Sequence, residues 1–452
     1  MNTGPQIKKN SFFILSTIVL LTLCCDIDKS TIPLFFQNPA AKIAVIADCH
    51  YYDPDLGTEG EAFETAVVRD RKMVTESEAL LEATIQAILS EAVDIVLVAG
   101  DLTKDGELSS HQKVSEHFRQ LEDNHVKVYV VPGNHDINNP HAMRYSGSTA
   151  TPVPSVTAEQ FVEIYAEFGF NEAIARDAAS LTYIVEPVNG LWIFCMDCCQ
   201  YSENTTYPVT GGKFSIETLN WIKSKLSEAD QKGNLVLGMM HHGLLEHFDG
   251  QKFLFTDYVI GYYTSIWSGF AELGMNVVFT GHFHAQDIRK MSNGTSFIFD
   301  IETGSSVTYP CPYRVLDLND ERILSVESRL ISNIDYDTNS LSFQQYAKQS
   351  LETGLDSIVA DLLINQFNIS ADSARIIAPH LSKAIITHYE GDEEITPEAV
   401  AFIQQMNGTN DLTSIMIANV LNSIYEDPEP SDNDVIIDLK TGEVSPATGG
   451  II

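Results

Sequence analysis

Residues 42–50, Lys42-Ile43-Ala44-Val45-Ile46-Ala47-Asp48-Cys49-His50, set an apolar run directly against a carboxylate and an imidazole. The run has the length of one strand and is apolar on both sides, the pattern of a strand covered on both faces of a parallel sheet. Asp48 and His50 lie two residues apart, so in an extended segment their side chains leave on the same side. Outward from this stretch follow an amphipathic helix at about 76–92, a second apolar run at 95–99, a second helix at about 109–124 and a third run at 127–131. This β-α-β-α-β order predicts parallel strands joined by crossover helices. Further strands are expected at 181–186, 191–196, 235–240, 276–280, 296–301 and 313–318, with a helix at 216–229. Several succeed one another without a helix between them, so the expectation is an α/β chain with a mixed sheet system. Residues 138–156, rich in Pro, Gly, Ser and Thr, read as a loop excursion.

Four more polar clusters stand where strands end: Gly100-Asp101, Gly133-Asn134-His135-Asp136, His241-His242-Gly243 and Gly281-His282-Phe283-His284. The carboxyl edge of an α/β sheet is where ligands bind, and a glycine there lets the chain turn out of the sheet. One such Asp could cap a helix, but an amide, an imidazole and a carboxylate in succession each need a polar partner if buried, and a turn needs only one. With Asp48-Cys49-His50 counted, six of the thirteen histidines fall in the five clusters. Mixed oxygen and nitrogen donors suit Fe, Mn, Zn or Co, and no thiolate spacing competes.

In order and spacing the five clusters resemble the signature of the calcineurin-like metallophosphoesterases, over residues 42–320. The resemblance implies a two-sheet mixed β-sandwich flanked by helices, with a dinuclear divalent-metal centre (Fe, Mn, Zn or Co) at the strand ends. Carried over residue by residue, it places one metal on Asp48, His50 and His284, the other on Asn134, His241 and His282, and Asp101 between them, with His242 as the alternative to His241. It implies that His135 contacts the phosphate and protonates or stabilises the leaving oxygen, with Asp136 orienting its imidazole. The implied activity is hydrolysis of a small phosphate mono- or diester; Gly100-Asp101-Leu102-Thr103-Lys104-Asp105-Gly106 resembles the cyclic-nucleotide and glycerophosphodiester branch more than the protein-phosphatase branch. A second reading is a non-catalytic, metal-stabilised binding or scaffold lipoprotein.

The 452 residues are long enough for two or three units. With 27 basic and 62 acidic residues the net charge is −35, which repels phosphate backbones and excludes a nucleic-acid-coating role. An anionic substrate then needs a strong local positive feature, which bound metal supplies. Residues 1–25 read as an export signal or lipoprotein anchor: Lys8 and Lys9 precede an apolar run at 11–23 that is too short to span a membrane easily. The run ends in Leu21-Thr22-Leu23-Cys24-Cys25, which resembles a lipobox with either cysteine as the acylated residue. The expected location is the extracytoplasmic face of a bacterial membrane. Seven cysteines without repeated pairs exclude a disulfide framework. The metallophosphoesterase unit is expected to span 42–333. A helical unit is expected at 338–425, from helices at 342–366, 370–388, 396–406 and 412–425, and a loose acidic tail at 426–452. In the first of these helices Leu351, Leu355, Ile358, Leu362 and Ile364 are read as its buried stripe.

Overall fold

The computed structural model describes residues 38–68, 71–409, 411–426 and 429–447. The export segment, with Cys24 and Cys25, lies outside the described residues. Among the described residues no helix is long and apolar enough to cross a membrane.

The first strand, β1 (Ala41–Ile46), is followed by α1 (Glu61–Val67), α2 (Ser77–Ser90), β2 (Ile95–Val98), α3 (Leu108–Asp123) and β3 (Lys127–Val130). β1, β2 and β3 pair in parallel, as the β-α-β-α-β order requires. The hairpin β4 (Met143–Ser146) and β5 (Thr149–Pro152) and helix α4 (Ala158–Ile164) lead to the second sheet. That sheet takes β6 (Ala175–Arg176), β7 (Tyr183–Val188), β8 (Leu191–Cys195), α5 (Ile216–Lys232), β9 (Leu235–Met239), α6 (Gln251–Leu254), α7 (Tyr263–Glu272), β10 (Val277–Thr280), β11 (Asp287–Ser292) and β12 (Phe297–Glu302) in chain order. Its strand order is β11-β12-β10-β9-β8-β7-β6, parallel from β12 to β8 and antiparallel at both ends.

The chain then returns to the first sheet through β13 (Pro312–Leu318), antiparallel to β1, and β14 (Ile323–Leu330). Helices α8 (Phe343–Asn365), α9 (Ala371–Glu390), α10 (Pro397–Asn407) and α11 (Leu412–Ile424) follow, and β15 (Asp434–Asp438) and β16 (Val444–Pro446) close the order β16-β15-β14-β13-β1-β2-β3. Each of these four helices starts on a side-chain cap: Ser342, Ser370, Thr396 and Asp411 accept from backbone N–H groups of their first turns.

One core joins the two sheets. Ile43 and Val45 of β1, Leu97 of β2, Leu237 of β9 and Phe279 of β10 all belong to it and are fully buried. This is why β1 shows no polar alternation: a strand covered on both faces has no solvent side. The helices share a second core with the sandwich, in which Leu355, Leu381 and Leu421 pack with Phe248, Leu254 and Phe283. In α8 the buried side chains Phe343, Ala347, Leu351, Leu355, Val359 and Leu363 recur every four residues, with Gly354 buried beside them. The expected members Ile358, Leu362 and Ile364 are half-buried, displaced to the flank of that stripe.

Residues 138–156 are not a plain loop, because β4 and β5 form a hairpin inside them. The expected loose tail is overturned for its ordered part. β15 pairs with β14, and Val435 and Ile437 alternate into the main core while Asp434 faces outward. Acidic and Pro-rich flanks hide this short alternating strand, whose partner edge exists only after β14 is in place. Burial of Ile437 sets an expectation: Ile437→Ala costs about 2–5 kcal/mol of unfolding free energy, measured by denaturant titration. A cost near zero would mean the tail strand does not hold the sheet.

Candidate metal centre

Each candidate ligand follows the carboxyl end of a parallel strand. Asp48 and His50 follow β1, Asp101 follows β2, Asn134 follows β3, His241 follows β9, and His282 and His284 follow β10. Both sheets therefore bring their carboxyl edges to one place. The turns there are tight enough to force left-handed backbone on ordinary residues: φ is 53° at Asp48, 38° at His50, 48° at Asp101, 77° at His282 and 74° at His284. Such conformations cost on the order of 1–3 kcal/mol each and persist only where packing over-determines them. Gly133 and Gly281 leave the room: a Cβ at Gly133 would lie 2.0 Å from Asp101 Oδ1, and one at Gly281 would lie 2.5 Å from Asp48 Oδ2.

The side chains form two groups that share Asp101. In the first, His284 Nε2 lies 3.3 Å from Asp48 Oδ1, and His50 Nε2 lies 3.6 Å from both Asp48 Oδ1 and Asp101 Oδ2. In the second, His241 Nε2 lies 3.2 Å from Asp101 Oδ2 and 3.2 Å from Asn134 Oδ1, with His282 completing the group. The remaining carboxylate oxygens are pinned by backbone: Asp48 Oδ2 accepts from His282 N–H and Asp101 Oδ1 from His135 N–H, both at 2.9 Å.

The residues present fit a pair of divalent cations. His241 Nδ1 donates to the Ala99 carbonyl at 2.8 Å, so in neutral His241 the bare Nε2 faces two oxygen acceptors. His50 Nε2 and His284 Nε2 face each other at 3.3 Å. Asp48 Oδ1 and His282 Nε2 are buried and have no hydrogen-bond partner. Acceptors that point at one another in a dry site need a cation between them. Burial, aided by neighbouring cationic groups, holds His50, His282 and His284 well below the ordinary imidazole range, which is the neutral form that ligates. Burial also pushes Asp48 up to about 7. At His241 burial acts downward, but the charge and hydrogen bond of Asp101 outweigh it and raise the imidazole to about 10.

His242 turns away: its Nε2 donates to the Thr210 carbonyl at 2.7 Å and its Nδ1 faces Cys198 Sγ at 3.3 Å. Cys49 packs in the core, opposite in direction to its two neighbours. His135 stands at the rim with its side chain 24% exposed, edge-on to His50 at 4.9 Å between ring centroids.

The orienting role expected of Asp136 is corrected. Its carboxylate is fully buried and accepts from the N–H groups of Gly133, Leu102 and Thr103 and from the Thr103 hydroxyl, which ties two turns together. His135 Nδ1 instead donates to the Lys104 carbonyl at 2.6 Å and lies 3.1 Å from Asp105 Oδ1. Asp105 is thus a site residue that local reading missed. Its signal was the second carboxylate of the stretch 100–106, four residues after Asp101. A cavity of about 250 Å³ opens on the centre, and Arg71, Lys72, Tyr258 and Ile358 also line it.

Metal must displace the protons that metal-free His241 and Asp48 hold. Loading at pH 7 is expected to release on the order of one to two protons per chain, and affinity to fall as pH falls, measured by calorimetry in buffers of different ionisation enthalpy. Asp101→Asn should lower the affinity of both positions, read as metal per chain by elemental analysis. Unchanged metal content in that variant would refute a shared ligand.

Residues 41–286, more than half of the chain, match the calcineurin-like phosphoesterase family. Among solved structures the chain is similar to a dimetal phosphatase from Danio rerio, with 15% identity over 66% of this chain and 98% of that one, and a TM-score of 0.46. It is similar to a purple acid phosphatase from yellow lupin (Lupinus luteus) seeds, with 14% identity over 65% and 52% and a TM-score of 0.43. A putative 5'-nucleotidase from Staphylococcus aureus gives 14% identity over 70% and 58%, with a TM-score of 0.39. Among curated proteins none matches. With two mixed sheets whose carboxyl edges carry the motif residues, the chain belongs to the calcineurin-like phosphoesterases, hydrolases that act on phosphoester bonds with a pair of divalent metal ions.

Proposed function

We propose that this protein is an exported, membrane-anchored phosphoesterase that hydrolyses a small phosphate mono- or diester. In this reading Asp48, His50 and His284 hold one ion, Asn134, His241 and His282 the other, and Asp101 both. The observation that carries it is the convergence of two carboxylates, one amide oxygen and four imidazoles on Asp101 and its neighbours, beside a cavity that also holds two cationic side chains. When bound, the ions supply Lewis-acid polarisation of the phosphoryl oxygens and a water nucleophile at neutral pH. The chain's own residues do the rest. Arg71 and Lys72 put positive charge on the cavity wall in a chain of net charge −35, which favours an anionic ester. Arg71 is placed by its hydrogen bonds to Tyr389 Oη at 2.6 Å and Tyr258 Oη at 3.3 Å. The cavity volume fits a small ester.

His135 is the proton donor. Its Nδ1 is engaged by Lys104 and Asp105, so Nε2 is the atom that gives a proton to the departing ester oxygen as the P–O bond breaks. Burial alone would lower this imidazole, but the carboxylates of Asp101 and Asp105 outweigh it and raise it above the ordinary range, which favours the form that can give a proton. The basic n-region, the short apolar run and Cys24-Cys25 support export with a lipid or signal anchor at the extracytoplasmic face of a bacterial membrane.

Turnover of p-nitrophenyl phosphate and bis-p-nitrophenyl phosphate with added Mn²⁺ or Zn²⁺, absent in Asp101→Ala, tests the reading; a metal-loaded protein that turns over neither ester, nor alkyl esters, favours the binding alternative. His135→Ala is expected to lose about 10²–10⁴-fold in kcat, less for good leaving groups than for alkyl esters. Asp105→Asn removes a charge that stabilises the imidazolium, so the alkaline limb of kcat moves to lower pH. A pH profile identical to wild type would exclude Asp105 from that role.

A further inference from the structure

Away from the dinuclear centre, a second buried constellation joins the sandwich to the helices. Asp287 opens β11, His388 lies near the end of α9, and Glu393 follows α9 in the loop. Their side chains are 6%, 1% and 1% exposed, and one ligating atom from each lies within 4.8 Å of the other two. His388 Nδ1 is in contact with Glu393 Oε1 and 3.5 Å from Asp287 Oδ2. The loop is built to bring them together: Gly391 and Asp392 adopt φ of 73° and 56°, which folds Glu393 back onto the helix that carries His388. A Cβ at Gly391 would lie 2.5 Å from the Gln286 carbonyl, so this turn sits directly on the sandwich. The backbone N–H of Asp392 and of Asp432 each donates to the other's carboxylate at 2.8 Å, and the Asp432 carboxylate also accepts from Ile288 N–H, which fixes the loop against β11.

As an ordinary ion pair this arrangement is poorly satisfied. Two carboxylates share one edge of a single imidazole, and Glu393 Oε2 and His388 Nε2 are buried without a hydrogen-bond partner. His247, which contacts the other oxygen of Asp287, has its own Nε2 unpartnered, 3.4 Å from carboxylate oxygens of both Asp300 and Glu302. The nearby Arg314 spends its N–H groups on the backbone carbonyls of Glu302, Asp287 and Asp432 and on the Ser328 hydroxyl, not on these carboxylates. A buried carboxylate oxygen without a donor is costly, and a divalent ion would neutralise both carboxylates and use both oxygens of Glu393.

We propose that Asp287, His388 and Glu393 form a third divalent-metal site, of the borderline class that takes mixed nitrogen and oxygen ligands, which pins the helical unit to the phosphoesterase sandwich. Its position gives it reach. Tyr389, next to His388, receives the Arg71 hydrogen bond, and Ile358 of α8 lines the cavity at the dinuclear centre. Occupancy therefore steadies the wall of the active site without supplying a ligand to it.

The test is a metal count on the full chain after loading with Zn²⁺ alone or Mn²⁺ alone. Wild type is expected to hold three ions per chain, Glu393→Gln two, and Asp101→Asn to keep the one tight ion it does not ligate. In the Asp101→Asn protein a chelator should lower Tm, and the shift should vanish in Asp101→Asn/Glu393→Gln. If Glu393→Gln fails to fold, the ion retained by Asp101→Asn decides alone. Two ions in wild type with none tightly held in Asp101→Asn, or no chelator shift, would overturn the proposal and leave a buried ion pair. The dinuclear reading fails by a different result, a full metal count in Asp101→Asn.

Discussion

Lone pairs that face one another with too few protons between them govern the centre of this molecule. His241 Nε2 points at two oxygens, Asp48 Oδ1 and His282 Nε2 lack any donor, and His50 and His284 meet nitrogen to nitrogen. So many donors of lone pairs around so few protons leave buried groups unpaired, and a pair of divalent cations would satisfy them together. Much of the surrounding structure serves to hold these groups against their mutual repulsion. The left-handed backbone at five ligand positions, Gly133 and Gly281 with no room for a Cβ, and the backbone N–H groups that pin one oxygen of each aspartate all act to that end.

The sandwich makes such over-determination possible. Short parallel strands buried on both faces are stiff, and two sheets sharing one core cannot slide their carboxyl edges independently. The strain at the turns is offset by packing far from it. Asp136 illustrates the division of labour: four hydrogen bonds make it the rivet between the turns after β2 and β3, and that leaves His135 free to be positioned by Asp105.

The helices complete the wall of the cavity, where Ile358 of α8 lies. Phe248 and Phe283 carry the helical core onto the sandwich, and Tyr389 places Arg71 over the centre. In a chain this acidic, a pair of divalent ions held there would, with Arg71 and Lys72 on the cavity wall, be a local exception to the overall negative field.

What the sequence determined by itself is local. Apolar runs ended by Asp-x-His, Gly-Asp, Gly-Asn-His-Asp and Gly-His-x-His announce strands with polar carboxyl ends, and the capped, periodic segments after residue 342 announce helices, because both signals come from neighbours along the chain. Tertiary structure decided everything that rests on distance in space. Nothing local separates His241 from His242; the register of β9 beside β10 aims one at Asp101 and the other at Thr210. Asp105 takes the place beside His135 expected of Asp136, because backbone donors from another turn claim Asp136. β15 is a strand because β14 offers an unpaired edge, and Asp287, His388 and Glu393 meet across more than a hundred residues. A carboxylate, an imidazole or a strand edge takes its role from the partner that folding brings to it, and that partner is not written beside it in the chain.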